Sequence, residues 1–378
     1  MRVRRVVSGF IVAAASLLCM LVSGEVYAQS SVTLYGLISV GVQYVSNQAD
    51  KSQVLLASGP QQLPRFGIKG RENLGGGYAA IFTLENGFSI ANGSLSYGGR
   101  MFGRQAILGI TNGRIGTLTM GRQYEEMASQ LYWSESGVIF AAFGTHIGDN
   151  DNVFNSQRFN NSVRYVSPNF RGLSFAAQYA FSNSVGGFSD NSGYSAGAGY
   201  DNGRMKLGVA YTQFNHPASP SNPQNGAVDS SGWGFSNPFA KSPGNAMTSR
   251  QTIFGIAGSY DLNVVQVAFN YTNVLYDYAD SSGVRLQNGE ATVTKYLTPS
   301  LLLGVGYIYT AADYSQSRAP HWHQVNIGAD YFLTKRTDVY VVGLYQNASV
   351  GAHAQIYTTS PSSTRNQSVV VVGMRTKF

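Results

Sequence analysis

Residues 173–182 read Leu-Ser-Phe-Ala-Ala-Gln-Tyr-Ala-Phe-Ser, with an apolar side chain at every second position from Leu173 to Phe181. The same two-residue period runs through 265–272 and 324–333. Successive side chains of a β-strand point to opposite faces, so each segment has one apolar face and one polar or small face. From Ser31 onward such segments recur between turn residues, which is the sequence pattern of a transmembrane β-barrel.

The composition fits a β-structure whose apolar surface faces lipid. Of the 378 residues, 43% are hydrophobic and 12% are charged, and the chain contains 24 Tyr, 20 Phe and 44 Gly. The one uninterrupted apolar stretch lies at the extreme N-terminus, which excludes a membrane protein with several helical spans. The aromatic content excludes a disordered chain, because it supplies far more surface for burial than a solvated chain carries.

Residues 1–28 have the pattern of a signal peptide. Arginines at positions 2, 4 and 5 precede the apolar run 6–22, and Val-Tyr-Ala at 26–28 ends in the small residue that signal peptidase needs. We therefore predict a signal peptide over 1–28 and a single β-barrel domain over 29–378. Cys19 follows two leucines, whereas a lipoprotein signal has a small residue before its cysteine, so we expect no lipid anchor.

Cysteine and charge content exclude further classes. Cys19 is the only cysteine, so the mature chain forms no disulfides and carries out no thiol chemistry. Removal of 1–28 takes away three arginines and one glutamate and lowers the net charge from +7 to +5. That surplus is too small for a nucleic-acid-binding surface, which requires clustered Lys and Arg.

Two features favour a transmembrane barrel over a soluble β-sandwich, which would show the same alternation. Tight turns alternate with long polar stretches at 46–62, 124–157, 215–248 and 348–365, as expected for turns at one rim and loops at the other. Aromatic residues cluster at predicted strand ends, as in interfacial girdles; they include Tyr35, Tyr44, Tyr165, Tyr179, Phe181, Tyr307, Tyr309, Tyr331 and Tyr340.

The segments between these turns predict an all-β fold, a 16-stranded antiparallel transmembrane β-barrel. The predicted strands are 31–45, 63–73, 77–88, 100–111, 114–123, 158–167, 172–182, 193–201, 204–214, 249–260, 263–276, 283–297, 300–310, 321–333, 337–347 and 366–378. The fourth, fifth, twelfth and fifteenth of them alternate poorly. Side chains cannot fill a barrel of this size, so the interior is expected to hold a water channel.

Several motifs, in order along the mature chain, resemble the general-diffusion porins of the Gram-negative outer membrane, most closely the β-proteobacterial (Burkholderia/Bordetella-like) branch. They are Ser-Val-Thr-Leu-Tyr-Gly at 31–36, Arg-Phe-Gly-Ile-Lys-Gly at 65–70, Glu-Asn-Leu-Gly-Gly-Gly at 72–77, Phe-Thr-Leu-Glu-Asn-Gly-Phe at 82–88, Gly-Thr-Leu-Thr-Met-Gly-Arg-Gln-Tyr at 116–124, Asn-Asn-Ser-Val-Arg-Tyr-Val-Ser-Pro at 160–168 and Gly-Met-Arg-Thr-Lys-Phe at 373–378. The resemblance implies an outer-membrane channel for passive diffusion of ions and small hydrophilic solutes.

The resemblance also implies that the loop at about 124–157 folds into the barrel as a constriction loop facing a ladder of wall arginines. By motif position the wall residues are Arg65, Arg104, Arg122 and Arg158. Strand parity agrees for two of them: with Phe66 and Phe159 toward lipid, Arg65 and Arg158 face inward. The loop carboxylates are Glu125, Glu126, Glu135, Asp149 and Asp151. We hypothesise a transverse field between the two sets and a moderate anion preference.

The resemblance further implies partners. We expect a homotrimer in which the loop near 89–99 reaches a neighbour, together with contacts to outer-membrane lipid and lipopolysaccharide. Phe378 resembles the C-terminal aromatic residue that signals assembly by the barrel-assembly machinery, and it fits a plain girdle position equally well. No cofactor and no nucleic-acid partner is expected.

Alternative functions remain open at this point. A solute-specific channel for an anionic nutrient would show saturable block by one solute, and a surface-binding barrel would need an adhesive loop such as 215–248. Metal sites at His321 and His323, or calcium at 148–152, lack a complete ligand set. No nucleophile motif accompanies the five histidines, so we expect no catalysis.

Overall fold

The computed structural model describes residues 31–229, 232–241, 246–315 and 319–378. The predicted signal peptide at 1–28 lies outside the described residues. Within the described ranges, no helix is long and apolar enough to cross a membrane.

The described chain forms one antiparallel β-sheet of seventeen strands in sequence order. The strands are β1 (Ser31–Gln48), β2 (Lys51–Ser58), β3 (Arg65–Gly75), β4 (Tyr78–Gly87), β5 (Gln105–Asn112), β6 (Gly116–Gln123), β7 (Phe159–Val166), β8 (Leu173–Ala180), β9 (Ser192–Asp201), β10 (Met205–Asn215), β11 (Thr248–Asp261), β12 (Gln266–Tyr278), β13 (Gly283–Thr298), β14 (Leu301–Tyr314), β15 (His321–Phe332), β16 (Thr337–Ala348) and β17 (Asn366–Lys377). The poorly alternating segments are all strands: they are β5, β6, β13 and β16.

The sheet closes on itself through β1 and has sixteen wall positions, as predicted. One edge of β1 pairs with β17. The other edge pairs with β3 over its first half and with β2 over its second half, so β2 and β3 share one position in the wall. Two hydrogen bonds of 3.0 Å between the backbones of Gly36 and Phe378 extend the closing pair to the last residue.

The stretch 46–62 is not one long loop, and this corrects the prediction. Residues Lys51–Ser58 form β2, whose Val54 and Leu56 are 69% and 57% exposed on the outer face. The sequence did not reveal the alternation of apolar residues in β2, because polar residues precede Val54 and the strand is interrupted at 59–64. At that break the Pro60 carbonyl accepts a hydrogen bond from the Ala142 N–H at 2.8 Å, and Gln61 Nε2 donates to the Ile139 carbonyl at 2.8 Å. The interruption of the wall strand therefore binds the constriction loop.

Apolar side chains cover the outside of the barrel, and polar side chains the inside. Leu108, Phe269 and Val372 are exposed on the outer face, whereas Asn270 and Thr272 are buried inside. Outward exposure of large hydrophobic residues is stable only where lipid covers them.

Some aromatic residues lie on the opposite face from the one predicted. Tyr340, predicted in a girdle, is buried inside the barrel with its hydroxyl 3.1 Å from Ser39 Oγ. Phe159, predicted to face lipid, is fully buried and packs on Phe214. For Phe159 the cause is a β-bulge: the pairing of β6 with β7 shifts by one residue near Asn161, whose φ is 48°, and this reverses the parity before it.

The constriction loop, residues 124–157, lies inside the barrel. It contains α1 (Glu126–Leu131), α2 (Gly137–Phe140) and three single 3₁₀ turns. Glycines on the inner wall allow this close approach. A Cβ atom would lie 2.6 Å from the Gln130 carbonyl oxygen at Gly208, 2.6 Å from Leu131 Cδ1 at Gly255, and 2.1 Å from the Phe140 ring at Gly304. Such contacts are too short for any real side chain, so these glycines set the path of the loop.

We predict that Gly304→Val displaces the constriction loop. Overpacking of this kind costs about 1–3 kcal/mol, and we expect lower thermal stability and an altered single-channel conductance in planar bilayers. Gly289→Val on β13 is the matched control, since a Cβ atom there meets nothing within 4 Å. Wild-type conductance and stability in Gly304→Val would contradict this account of the loop.

Candidate pore constriction

The constriction loop begins with a buried carboxylate. Glu125 caps α1 by accepting hydrogen bonds from the N–H groups of Met127 and Ala128, at 2.6 and 3.0 Å. It also accepts from Thr212 Oγ1 on β10. Burial raises the pKa of Glu125 to about 7, and these hydrogen bonds oppose that rise. Glu125 therefore anchors the base of the loop to the wall and does not line the channel.

Two further loop carboxylates also bind protein groups close to them in space. Glu126 makes a two-point ion pair with Arg164 on β7, with N–O distances of 2.6 and 3.1 Å. Asp149 accepts hydrogen bonds from the N–H groups of Phe154 and Ser156, at 2.9 and 2.8 Å. Burial and the nearby Asp151 raise the pKa of Asp149 to about 7.

The remaining two carboxylates of the loop surround His146, which sequence reasoning did not single out as a site residue. His146 Nδ1 lies 2.6 Å from Asp151 Oδ2 and 3.5 Å from Glu135 Oε1, and all three side chains are fully buried. Burial alone would lower the pKa of His146, but the surrounding carboxylates raise it well above its usual value. Burial raises the pKa of Glu135.

The loop carboxylates thus differ from the sequence-based expectation. All five are at most 4% exposed and bind backbone N–H groups, wall side chains or His146. No ion pair joins any of them to Arg65, Arg104, Arg122 or Arg158 in the described chain. Their spacing in sequence could not reveal this, because the contacts depend on the folded path of the loop and, for Glu125 and Glu126, on wall residues of other strands.

The structure brings the four wall arginines together around two tyrosines, an arrangement that we call the arginine cluster. The Arg158 guanidinium stacks 4.3 Å from the ring centre of Tyr97 and 4.8 Å from that of Tyr124. Arg104 donates to the hydroxyls of Tyr97 and Tyr124, at 2.9 and 2.6 Å. These contacts hold the charged groups in fixed positions.

Carboxylates balance only part of this positive charge. Arg104 Nε lies 2.7 Å from Glu85 Oε1, and Arg100 lies 2.7 Å from Asp229. By contrast, the recorded partners of Arg65, Arg122 and Arg158 are carbonyl, amide and phenol oxygens, and the described residues include no ion pair for them. The four arginines of the cluster and the neighbouring Arg100 therefore carry five positive charges against two carboxylates, which leaves the region with a net positive charge.

Five of these participants were not assigned to the site from the sequence: Glu85, Tyr97, Arg100, Tyr124 and Asp229. Glu85 shares an inward parity with Thr83 in the motif 82–88, so alternation could have placed it in the lumen. Tyr97 and Asp229 lie in segments without periodicity, and only the folded loops bring them to the arginines.

The arginine cluster borders an open cavity of about 470 Å³. Arg100 and Arg122 line it together with Tyr97, Asn155 and Tyr357. On the loop side, burial raises the pKa of Tyr132, and the Arg65 and Arg104 charges counter part of that rise. The loop thus presents an aromatic side chain, not a carboxylate, to these arginines.

Comparison with known proteins agrees with this architecture. Residues 13–351 match the family model of the Gram-negative porins. The chain belongs to this family. An outer membrane porin of Bordetella pertussis is 30% identical, over 85% of this chain and 90% of its own length. The major outer membrane protein P.IB of Neisseria meningitidis serogroup B is 28% identical, over 84% and 88%.

Solved structures share the fold of the porin. An anion-selective porin from Comamonas acidovorans has a TM-score of 0.75 and 20% identity, covering 93% of this chain and all of its own. OmpT of Vibrio cholerae, described as a trimer form, has a TM-score of 0.67 and 13% identity, covering 92% and 99%. The porin resides in the outer membrane, where its barrel is a diffusion channel for ions and small hydrophilic solutes.

We predict a change in ion preference of the porin as Tyr97 ionises. Burial alone would raise the pKa of Tyr97, but Arg158, Arg104, Arg65 and Arg122 lower it to about 8. The phenol is neutral below this pH and negative above it, so the net charge of the arginine cluster falls by one as the pH rises through 8. Reversal potentials in a KCl gradient should show a lower chloride preference on the alkaline side.

Tyr97→Phe is the control for this prediction, because it keeps the ring against Arg158 and removes the ionisable hydroxyl. The alkaline decrease should be smaller in the variant. An equal decrease in both proteins would assign the titration to another group.

Proposed function

We propose that the porin is a general-diffusion channel with a moderate preference for anions. The observation that carries this proposal is the arginine cluster, in which Arg65, Arg122 and Arg158 have no carboxylate partner among the described residues. A narrow passage lined by charge of one sign raises the local concentration of the opposite ion.

The source of selectivity differs from the transverse field hypothesised from the sequence. The loop carboxylates are buried and bound to local partners, so their charge is directed into the loop–wall interface. The field at the passage then comes from arginines on one side. Salt screens charges over about 8 Å at physiological ionic strength, and selectivity should therefore weaken as salt rises.

A related structure supports this assignment. The Comamonas acidovorans protein, which shares the fold, is described as anion-selective. The likeness alone does not carry the property over at 20% identity, but the arginine cluster gives it a physical basis in this chain.

We predict that the wild-type porin gives a reversal potential of anion-selective sign in planar bilayers under a KCl gradient. Arg122→Gln should lower the chloride-to-potassium permeability ratio by roughly two- to tenfold, the effect of one charge about 8 Å from the ion path. Arg285→Gln is the matched control, since Arg285 lies exposed on β13 and binds Asn273.

Clear cation preference of the wild type, or an equal change in the two variants, would contradict the proposal. The same bilayers distinguish the alternative of a solute-specific channel for an anionic nutrient. Saturable block of the chloride current by one anion, and not by others of its size, would favour that alternative.

We also propose that the porin assembles as a homotrimer. The trimer form of the Vibrio cholerae OmpT structure supports this, as do the exposed apolar side chains of Ile90, Leu95 and Met101 near the predicted contact loop.

We predict that Leu95→Arg lowers the temperature at which trimers dissociate on a semi-native gel. Val185→Arg, at a fully exposed loop position, is the control. An unchanged dissociation temperature in Leu95→Arg would show that this loop is not part of the trimer interface.

The remaining expectations stay proposals of the same kind. We propose that Phe378, which is half exposed and paired to Gly36, is an assembly signal, and the yield of folded barrel after its deletion would test that role. Contacts with lipopolysaccharide and the barrel-assembly machinery remain predictions.

We propose no catalytic role: His321 and His323 pack against Tyr309 on the outer face, and Tyr307 binds His323.

A further inference from the structure

A second group of charged side chains lies where the constriction loop meets the wall, apart from the arginine cluster. It consists of Glu135 and His146 from the loop and Glu290 from β13. Each offers one nitrogen or oxygen atom, and the three atoms lie within 4.8 Å of one another. The side chains of all three are fully buried.

Two atoms of this group have no hydrogen-bond partner. They are Glu135 Oε2 and His146 Nε2, both shielded from solvent. His146 Nε2 lies 3.1 Å from Glu290 Oε2, an ion-pair distance that is also close to the separation of two ligand atoms on one metal ion. Buried polar atoms without a hydrogen bond cost free energy, and a divalent ion that displaces the Nε2 proton of His146 would give both atoms a partner.

The surroundings of His146 match those of a metal-binding histidine. Its other nitrogen, Nδ1, lies 2.6 Å from Asp151 Oδ2. Asp151 is held in turn by Thr272 Oγ1 at 2.5 Å and Asn288 Nδ2 at 3.2 Å. Metal-bound imidazoles usually donate their second N–H to a carboxylate, which fixes the ring and the tautomer. Asp151 thus orients His146 so that Nε2 faces Glu290, while the Nδ1 side of the ring lies 3.5 Å from Glu135 Oε1.

The charge in this region also favours a cation. Glu135, Asp149, Asp151 and Glu290 are at most 5% exposed, and no Lys or Arg in the described ranges forms an ion pair with them. His146 is the only basic side chain recorded in contact with them. Buried carboxylates repel one another strongly, one imidazole can balance at most one of these charges, and a divalent ion would balance two.

We propose that Glu135, His146 and Glu290 bind a divalent transition-metal ion such as Zn²⁺ or Mn²⁺, which fastens the constriction loop to β13. The imidazole distinguishes this site from a calcium site, because Ca²⁺ takes six to eight oxygen ligands. The oxygen-rich stretch 148–152 considered in the sequence contributes Asp151 as the residue that orients His146, and not as a direct ligand.

The first test uses the full-length porin after removal of metal with a chelator. The protein is incubated with Zn²⁺ or Mn²⁺, separated by gel filtration and analysed for metal content by mass spectrometry. We expect one ion per chain, and His146→Asn and Glu290→Gln should each lower the affinity at least tenfold. The double variant His321→Asn/His323→Asn, which removes the exposed histidine pair, is the control and should keep the ion.

A second test requires no variant and does not depend on whether the variants fold. Mn²⁺ bound to the unmodified porin should show, by pulsed electron paramagnetic resonance, a magnetic coupling to one imidazole nitrogen. Absence of bound metal, or bound Mn²⁺ without this coupling, would overturn the proposal. Tight Ca²⁺ binding unaffected by His146→Asn would also overturn it and assign the ion to the oxygen group of Glu135, Asp149 and Asp151.

Discussion

Backbone hydrogen bonding inside a lipid bilayer is the constraint on which this structure depends. No water is present there to satisfy an unpaired N–H or C=O group, so a sheet must close without an edge. The pairing of β1 with β17 meets this requirement, and the bonds between Gly36 and Phe378 extend it to the chain end. Closure at sixteen positions leaves an interior too wide for side chains alone, which is why a loop occupies it.

The inward loop then determines which charges reach the water. It packs on the wall through glycine positions and is held by carboxylates that accept backbone and side-chain hydrogen bonds. A carboxylate used as an anchor in this way forms no ion pair with the wall arginines of the described chain. Arg65, Arg122 and Arg158 are therefore left without a carboxylate partner there, and Tyr97 and Tyr124 hold the Arg158 guanidinium in place.

The sequence predicted the wall well and the interior less completely. Turn residues and alternation together located every wall position, because lipid on one face and water on the other impose a two-residue period on most strands. It failed where the backbone departs from that period: at the bulge that turns Phe159 inward, and at β2, whose apolar residues follow a polar start. The four arginines were expected from motifs, and their role at the passage stays a prediction. Glu85, Tyr97 and His146 were not, because their roles come from contacts between distant segments.

The break between β2 and β3 links two features that otherwise look independent. Pro60 and Gln61 belong to the wall next to the closing strand, yet they bind the carbonyl and N–H groups of the loop at Ile139 and Ala142. The constriction loop is therefore attached beside the closing strand: β1 pairs with β17 on one edge, and on its other edge it pairs with the two strands whose break holds the loop.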